Sequence, residues 1–368
     1  MTTFAALFVP AAFRDAVADE AWLGAMLDAE LAFARASGAV VDESAFDALL
    51  YDIDALAAEG RAAGNPVVPL VRALRARAGE AAHRGATSQD ILDTASMLVA
   101  QRSLRLLDAE LAGLAAGCAA LADAHRATPM AGRTLLQQAV PVTFGLVAAG
   151  WLVAVLDARD RLGALVLPAQ LGGAAGTLAA FGASGPEVLR LYAAELGLAE
   201  PTLPWHAHRG PVAALAGALD AAGQAAAKIG LDVVLLAQTE VAEVSERDGG
   251  GSSTMPHKSN TVRATLSRAC ARTVHAQATL LTSGEHELQR AAGAWHAEWN
   301  ALSEALAFTG GAVAAARECV EALDVDAERM RMNMTDDLRS EQRAFGIEGD
   351  YLGAADAFVE RALERHRA

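Results

Sequence analysis

Between Thr87 and Thr128 the sequence leaves one local choice, a long helix. Leu104, Leu107, Leu111, Leu114, Cys118 and Leu121 alternate spacings of three and four, a coiled-coil-like seam that must pack against other helices. Thr87 or Ser88 is placed to cap its start. Asp90 and Asp93 follow in the first turn, where the helix dipole favours negative charge. His125, Arg126, Thr128 and Pro129 end it. Further long helices are expected at about 141–166, 211–246, 256–282 and 291–319. Short ones occupy residues 1–80, broken at Gly38 and at Gly64-Asn65-Pro66. Five long helices in series point to an all-α bundle. The expected division is an N-terminal helical domain at 1–82, a central long-helix domain at 83–330 and a short helical C-terminal region at 331–368.

Composition agrees with helices. Roughly a quarter of the 368 residues are alanine and 5% are aromatic, which disfavours a large sheet. The 53% hydrophobic content excludes intrinsic disorder. A formal charge of −15 argues against non-specific binding to nucleic acid or an anionic membrane, so an anionic substrate needs a local gathering of positive groups. Cys118, Cys270 and Cys319 are scattered, as in a reduced, cytoplasmic protein, and Met1–Arg14 lacks the pattern of a secretory signal. Ala139–Leu156 is nearly continuous apolar. It contains Pro141, Thr143, Gly145 and Gly150 and runs into Asp157, Arg159, Asp160 and Arg161, so it reads as a helix buried in a helical assembly rather than a membrane span. Leu171–Pro186 is rich in glycine and alanine but lacks a GK[ST] motif and does not follow a strand; it reads as a close-packed crossing or loop.

The stretch with most chemistry runs from Asp248 to Asn260, reading Asp-Gly-Gly-Gly-Ser-Ser-Thr-Met-Pro-His-Lys-Ser-Asn. Three glycines and two serines suit a mobile loop. Lys258 and Asn260 stand where a helix opens, and its free N–H groups with a lysine suit an anion. A loop serine with a lowered pKa can exchange a proton. A plain flexible linker explains the glycines but not Met255-Pro256, Lys258 or Asn260.

Gly251–Asn260 resembles the signature of the fumarase/aspartase superfamily. The resemblance implies that fold, with a long helix bundle contributing to a tetrameric core. It implies that Ser252 is catalytic and that Ser253, Met255, Lys258 and Asn260 meet the substrate. His83-Arg-Gly-Ala-Thr-Ser-Gln-Asp90 is similar to a second family motif; taken alone it is an ordinary helix start, and beside the loop it implies His83, Arg84, Thr87, Ser88 and Gln89 around a carboxylate. Pro129–Pro141 is similar to a third, from which Arg133, Thr134 and Gln137 are carried over. Many lyases of the superfamily have an acid/base histidine after Gly-Arg-Thr; this chain has Leu135. Amines and hydroxide leave poorly without a proton donor, whereas a carboxylate (conjugate acid pKa ~4) needs none. That departure, with Phe181–Pro186, Pro204–Arg209, Gln238–Val244 and Gly293–Trp299, makes the chain similar to a lactonising branch over residues 1–330. The branch implies lactonisation of 3-carboxy-cis,cis-muconate to 4-carboxymuconolactone, without metal or organic cofactor, at sites shared between subunits of a homotetramer. The alternatives are a fumarate-releasing lyase of the adenylosuccinate or argininosuccinate type, and a non-catalytic relative of the same fold. The tail after Asp324 is shorter than the family's third domain.

Other residues carry two readings each. His206 and Arg209 are expected near the substrate by resemblance, whereas His208 is as readily structural; an H-x-H metal pair lacks a third ligand. Arg290 binds a carboxylate or forms a surface salt bridge. Glu240, Glu243 and Glu246 are expected on one face of a helix, solvated or between subunits.

Overall fold

The structure is a computed structural model, and it describes residues 4–251, 255 and 258–368. Helices carry most of it. Among the described residues the strands form only two-stranded ladders, Pro129–Thr134 with Gln137–Thr143, Val244–Glu246 with Leu323–Val325, and Gly250–Gly251 with Ser259–Asn260. No helix among them is long and apolar enough to cross a membrane. The chain divides into two compact units, each drawn from three separate segments: 1–106, 164–219 and 274–307 in the first, 107–163, 220–273 and 308–368 in the second.

In the first unit the Asp19–Ser37 helix packs on Gly185–Leu196, with the Phe33 ring edge-on to Phe181 at 5.9 Å and to Tyr192 at 6.2 Å. It stops at Gly38, whose φ of 70° supplies a left-handed cap. Ile53–Ala63 starts on an Asp52 cap and stops at Gly64 in the same way. Both expected breaks are present. The Ser88–Ala124 helix runs 37 residues, and Gln89–Ala100 is buried without interruption. Its polar members Gln89, Asp90, Asp93 and Thr94 therefore have to find partners inside the protein.

In the second unit the later part of that helix buries Leu107, Leu111, Leu114 and Cys118, the seam expected from their spacing. The apolar stretch from Ala139 is not one helix. Its first residues belong to a strand, in which Pro141–Thr143 pairs with Pro129–Ala131, and the helix begins at Phe144 and ends at Gly163. Trp151, buried in that helix, donates to Asp232 at 2.8 Å. The Ala355–Arg367 helix covers its outer side, tied by Arg365 to Asp157 and Asp160.

Two helix bounds differ from expectation. Gly210–Leu236 ends ten residues early, and Val262–Leu281 begins six late. The cause is the same in both places: the residues between are pulled into other pairings. Glu243 is fully buried and takes both arms of Arg133, at 2.7 and 2.9 Å. Glu246, also buried, accepts the backbone N–H groups of Arg263 and Ala264 and so caps the next helix. These acids are not a solvated helix face; they are structural anchors.

Candidate active site

The Ser88–Ala124 helix opens at Thr87, whose N–H donates to Asp90 Oδ2 at 2.9 Å, one half of a capping box. Asp90 is fully buried and does more than cap. It also accepts the N–H groups of Gly172 and Gly173, at 2.8 and 2.9 Å, and meets His206 Nε2 at 2.7 Å. This closes the glycine-rich segment against the helix start, as expected of a tight crossing. A Cβ on Gly172 would stand 2.7 Å from Pro204 and 2.8 Å from His206. Gly85, in the motif itself, has φ of 99° and faces Phe181, which a Cβ would meet at 2.7 Å.

One turn on, Asp93 takes Arg209 Nη1 and Nη2 at 2.7 and 3.0 Å, Trp295 Nε1 at 2.9 Å and Gln89 Nε2 at 3.1 Å. Arg209 also donates from Nε and Nη2 to Glu298, which meets His286 Nε2 at 3.0 Å, and from Nη1 to the Trp205 backbone oxygen at 3.4 Å. Burial opposes the charge on Arg209, and the two carboxylates outweigh it and hold the guanidinium charged. The Trp205 ring lies 4.8 Å below it.

Above this buried layer is an outer one. Arg290 Nη1 donates to Thr87 Oγ1 at 2.6 Å and Nε approaches Gln89 Oε1 at 3.4 Å, while Gln89 holds the backbone oxygen of His206 at 2.9 Å. Thr87, Ser88 and Arg290 are half-buried, and Arg84 is exposed. A guanidinium beside a hydroxyl at a helix start is an anion-binding arrangement. The first unit thus gathers Thr87, Ser88, Gln89 and Arg290 as one cluster. His83 sits apart, its Nδ1 2.6 Å from buried Glu30. His206 and Arg209, expected near a substrate, are buried instead with their polar atoms consumed by Asp90, Asp93 and Glu298. Both are held by buried acids of the same unit. His208 is exposed.

In the second unit Arg133 is likewise taken, by Glu243, so its guanidinium orients the hairpin. Thr134 and Gln137 are exposed at the hairpin end, flanking Leu135 and Leu136. The base of the glycine–serine segment is a close approach rather than a slack tether. Gly250 pairs with Asn260 and Gly251 with Ser259, and a Cβ on Gly250 would collide with Val262. Asn260 Nδ2 donates to Gly250 O at 2.8 Å, and Lys258 is exposed. Met255 is 40% exposed. Ser252 and Ser253 lie outside the described residues.

A family model described as "Lyase" matches residues 59–276. The chain belongs to this lyase family. Nitrosuccinate lyase of Streptomyces davaonensis is 46% identical across 96% of this chain and 81% of that protein. The 3-carboxy-cis,cis-muconate cycloisomerase of Bradyrhizobium diazoefficiens is 43% identical across 96% of this chain and 85% of its own length. Among solved structures, the 3-carboxy-cis,cis-muconate lactonizing enzyme from Pseudomonas putida superposes with a TM-score of 0.87 at 34% identity, covering 99% of both chains. The fold of this lyase is therefore the one that the loop signature implied. Sequence alone does not mark Asp90, Asp93, Trp295 and Glu298 as site residues. Acids at i and i+3 amid the apolar run Ile91, Leu92, Ala95 were the available signal, since unpaired carboxylates do not survive burial.

Proposed function

We propose that this lyase lactonises 3-carboxy-cis,cis-muconate to 4-carboxymuconolactone. One carboxylate of the substrate attacks the double bond conjugated to another. The C–O bond forms, the π electrons move onto the acceptor carboxylate as an enediolate, and the α-carbon takes a proton. Arg290, Thr87, Ser88, Lys258 and Asn260 stabilise the developing charge, and Ser252 delivers the proton. Asp90, Asp93 and Glu298 act behind them, through Gln89, His206 and Arg209. The supporting observation is the 43% likeness to a named cycloisomerase, joined to Leu135 where a proton donor would serve a poor leaving group.

The same leucine fits a second reading. Nitrite is a weak base and leaves without a donor, so loss of nitrite from nitrosuccinate, the substrate named for the 46% relative, is compatible with the same residues. The motifs act together in a homotetramer in this proposal. An apolar groove of about 1060 Å³ in the second unit, lined by Leu135, Leu136, Leu146, Val147 and Leu231, gives a second copy a surface to cover.

Purified protein is incubated with 3-carboxy-cis,cis-muconate and the conjugated-diene absorbance followed, beside nitrosuccinate with nitrite and fumarate assayed. Loss of the diene without fumarate is expected. Nitrite release without diene loss replaces the first reading by the second. Equal rates in Ser252→Ala remove Ser252 from its role.

A further inference from the structure

The chain between the Val262–Leu281 and Ala294–Glu321 helices carries Arg290 to the Thr87 helix start, and little of it is packed. Glu285, Glu287, Leu288 and Gln289 are exposed. Leu288 stands at φ of 47°, a left-handed conformation that a leucine adopts at a cost, with its side chain in water. A segment with so few buried contacts opens readily, so its ties decide where Arg290 stands.

His286 is the deep tie of this segment. Its side chain is 3% exposed, and Nε2 lies 3.0 Å from Glu298 Oε1. A carboxylate only accepts, so Nε2 carries the hydrogen and donates it. Nδ1 is buried without a partner among the described residues, which leaves Glu298 as the contact that orients the ring. Glu298 is fixed from its other side by Arg209, and Arg209 by Asp93. Asp93 accepts Gln89 Nε2, and Gln89 Oε1 faces Arg290 Nε. The contacts that leave the loop at His286 thus pass through the buried layer and return to it at Arg290. Glu287 closes the same turn of chain by accepting the Ala292 N–H at 2.9 Å.

We propose that His286 is a positioning residue, a latch on Glu298 that holds Arg290 at Thr87 for a substrate carboxylate. The inference rests on the reading of the Thr87–Arg290 cluster as the anion site. His286 acts through Arg290.

The test compares His286→Gln, whose amide reaches the Nε2 position, with His286→Asn, which is too short to reach Glu298. Kinetics are measured on whichever of 3-carboxy-cis,cis-muconate and nitrosuccinate the wild type consumes. His286→Asn is expected to raise KM about tenfold, the effect of one hydrogen bond to a charged group, and His286→Gln to restore it. Partial unfolding would instead lower kcat at an unchanged KM. In an Arg290→Gln background, His286→Asn is expected to raise KM no further. Amide exchange of residues 286–292 in the substrate-free protein is the second readout. It is expected to be about tenfold faster in His286→Asn and at the wild-type rate in His286→Gln. Unchanged exchange in His286→Asn overturns the latch. Faster exchange with an unchanged KM, or an additive effect in the Arg290→Gln background, overturns the positioning role. A wild type inert towards both substrates overturns the functional reading alone, and the exchange comparison then decides the latch.

Discussion

Arg209 is 5% exposed and bridges two carboxylates that lie 116 and 89 residues away in sequence. Removing it leaves Asp93 and Glu298 buried and facing each other uncompensated. Arg209→Met is accordingly expected to lose about 3–5 kcal/mol of folding stability, measured by denaturant unfolding. A surface pair such as Arg72–Glu59 would cost far less, because water already solvates both partners. The arginine itself was visible in the sequence; its acids were not, because nothing local joins Pro204–Arg209 to Asp93 or Glu298. The resemblance implies a place near the substrate, and the packing commits its donors to Asp93 and Glu298. Cysteine is the opposite case, since scattered thiols already read as unpaired. All three are buried, and burial pushes Cys118 and Cys270 up to about 12. The folded protein is expected to yield no thiols to a disulfide reagent at neutral pH, and all three after unfolding.

Helix existence was legible from periodicity, and helix ends were not. Gly38 and Gly64 announced their stops because a left-handed cap is a local requirement. Leu236 did not, because the chain leaves the helix there to give Glu243 to Arg133 and Glu246 to the Arg263 and Ala264 amides. Such ends are decided by partners far along the chain. At the Ala124 end of the longest helix, His125 packs edge-on against Phe144 at 5.4 Å with Nδ1 3.1 Å from Thr128 Oγ1. Burial lowers its pKa from the ordinary 6.5. The unfolded chain then binds the proton more readily than the folded one, so stability is full above pH 6.5 and falls as pH drops toward the lowered folded value. Melting temperatures across about pH 5 to 7.5 are expected to show this decline, and His125→Gln, which keeps a polar partner for Thr128 without titrating, to flatten it.

The composition was right about the molecule as a whole, in that alanine-rich helices with few aromatics make an all-α fold. It did not reveal the short ladders, since Pro129–Thr143 reads as an apolar approach to a helix until its turn is seen. That turn is built from Leu135 and Leu136 at φ of 50° and 63°, where Asn-Gly is the ordinary choice, and they are 97% and 72% exposed. Leucines kept in an unfavourable backbone and in water point to a role outside the single chain. Leu135→Asn with Leu136→Gly relaxes the turn and removes its apolar tip. If the tip serves assembly, analytical ultracentrifugation of the double variant shows smaller species with the monomer fold intact by circular dichroism; an unchanged sedimentation profile removes the tip from that role.

The interleaving of the two units has a bearing on how the protein is made. Each unit is assembled from three stretches of chain, and the first lacks its last stretch until residues 274–307 have been synthesised. Trp295 and Glu298, which hold Asp93 and Arg209, belong to that stretch. A nascent chain therefore has Asp90's partners once His206 is made, whereas Asp93 and Arg209 lack Trp295 and Glu298 until that last stretch emerges. Most of the protein must wait, exposed to proteases and chaperones, for a segment near its end.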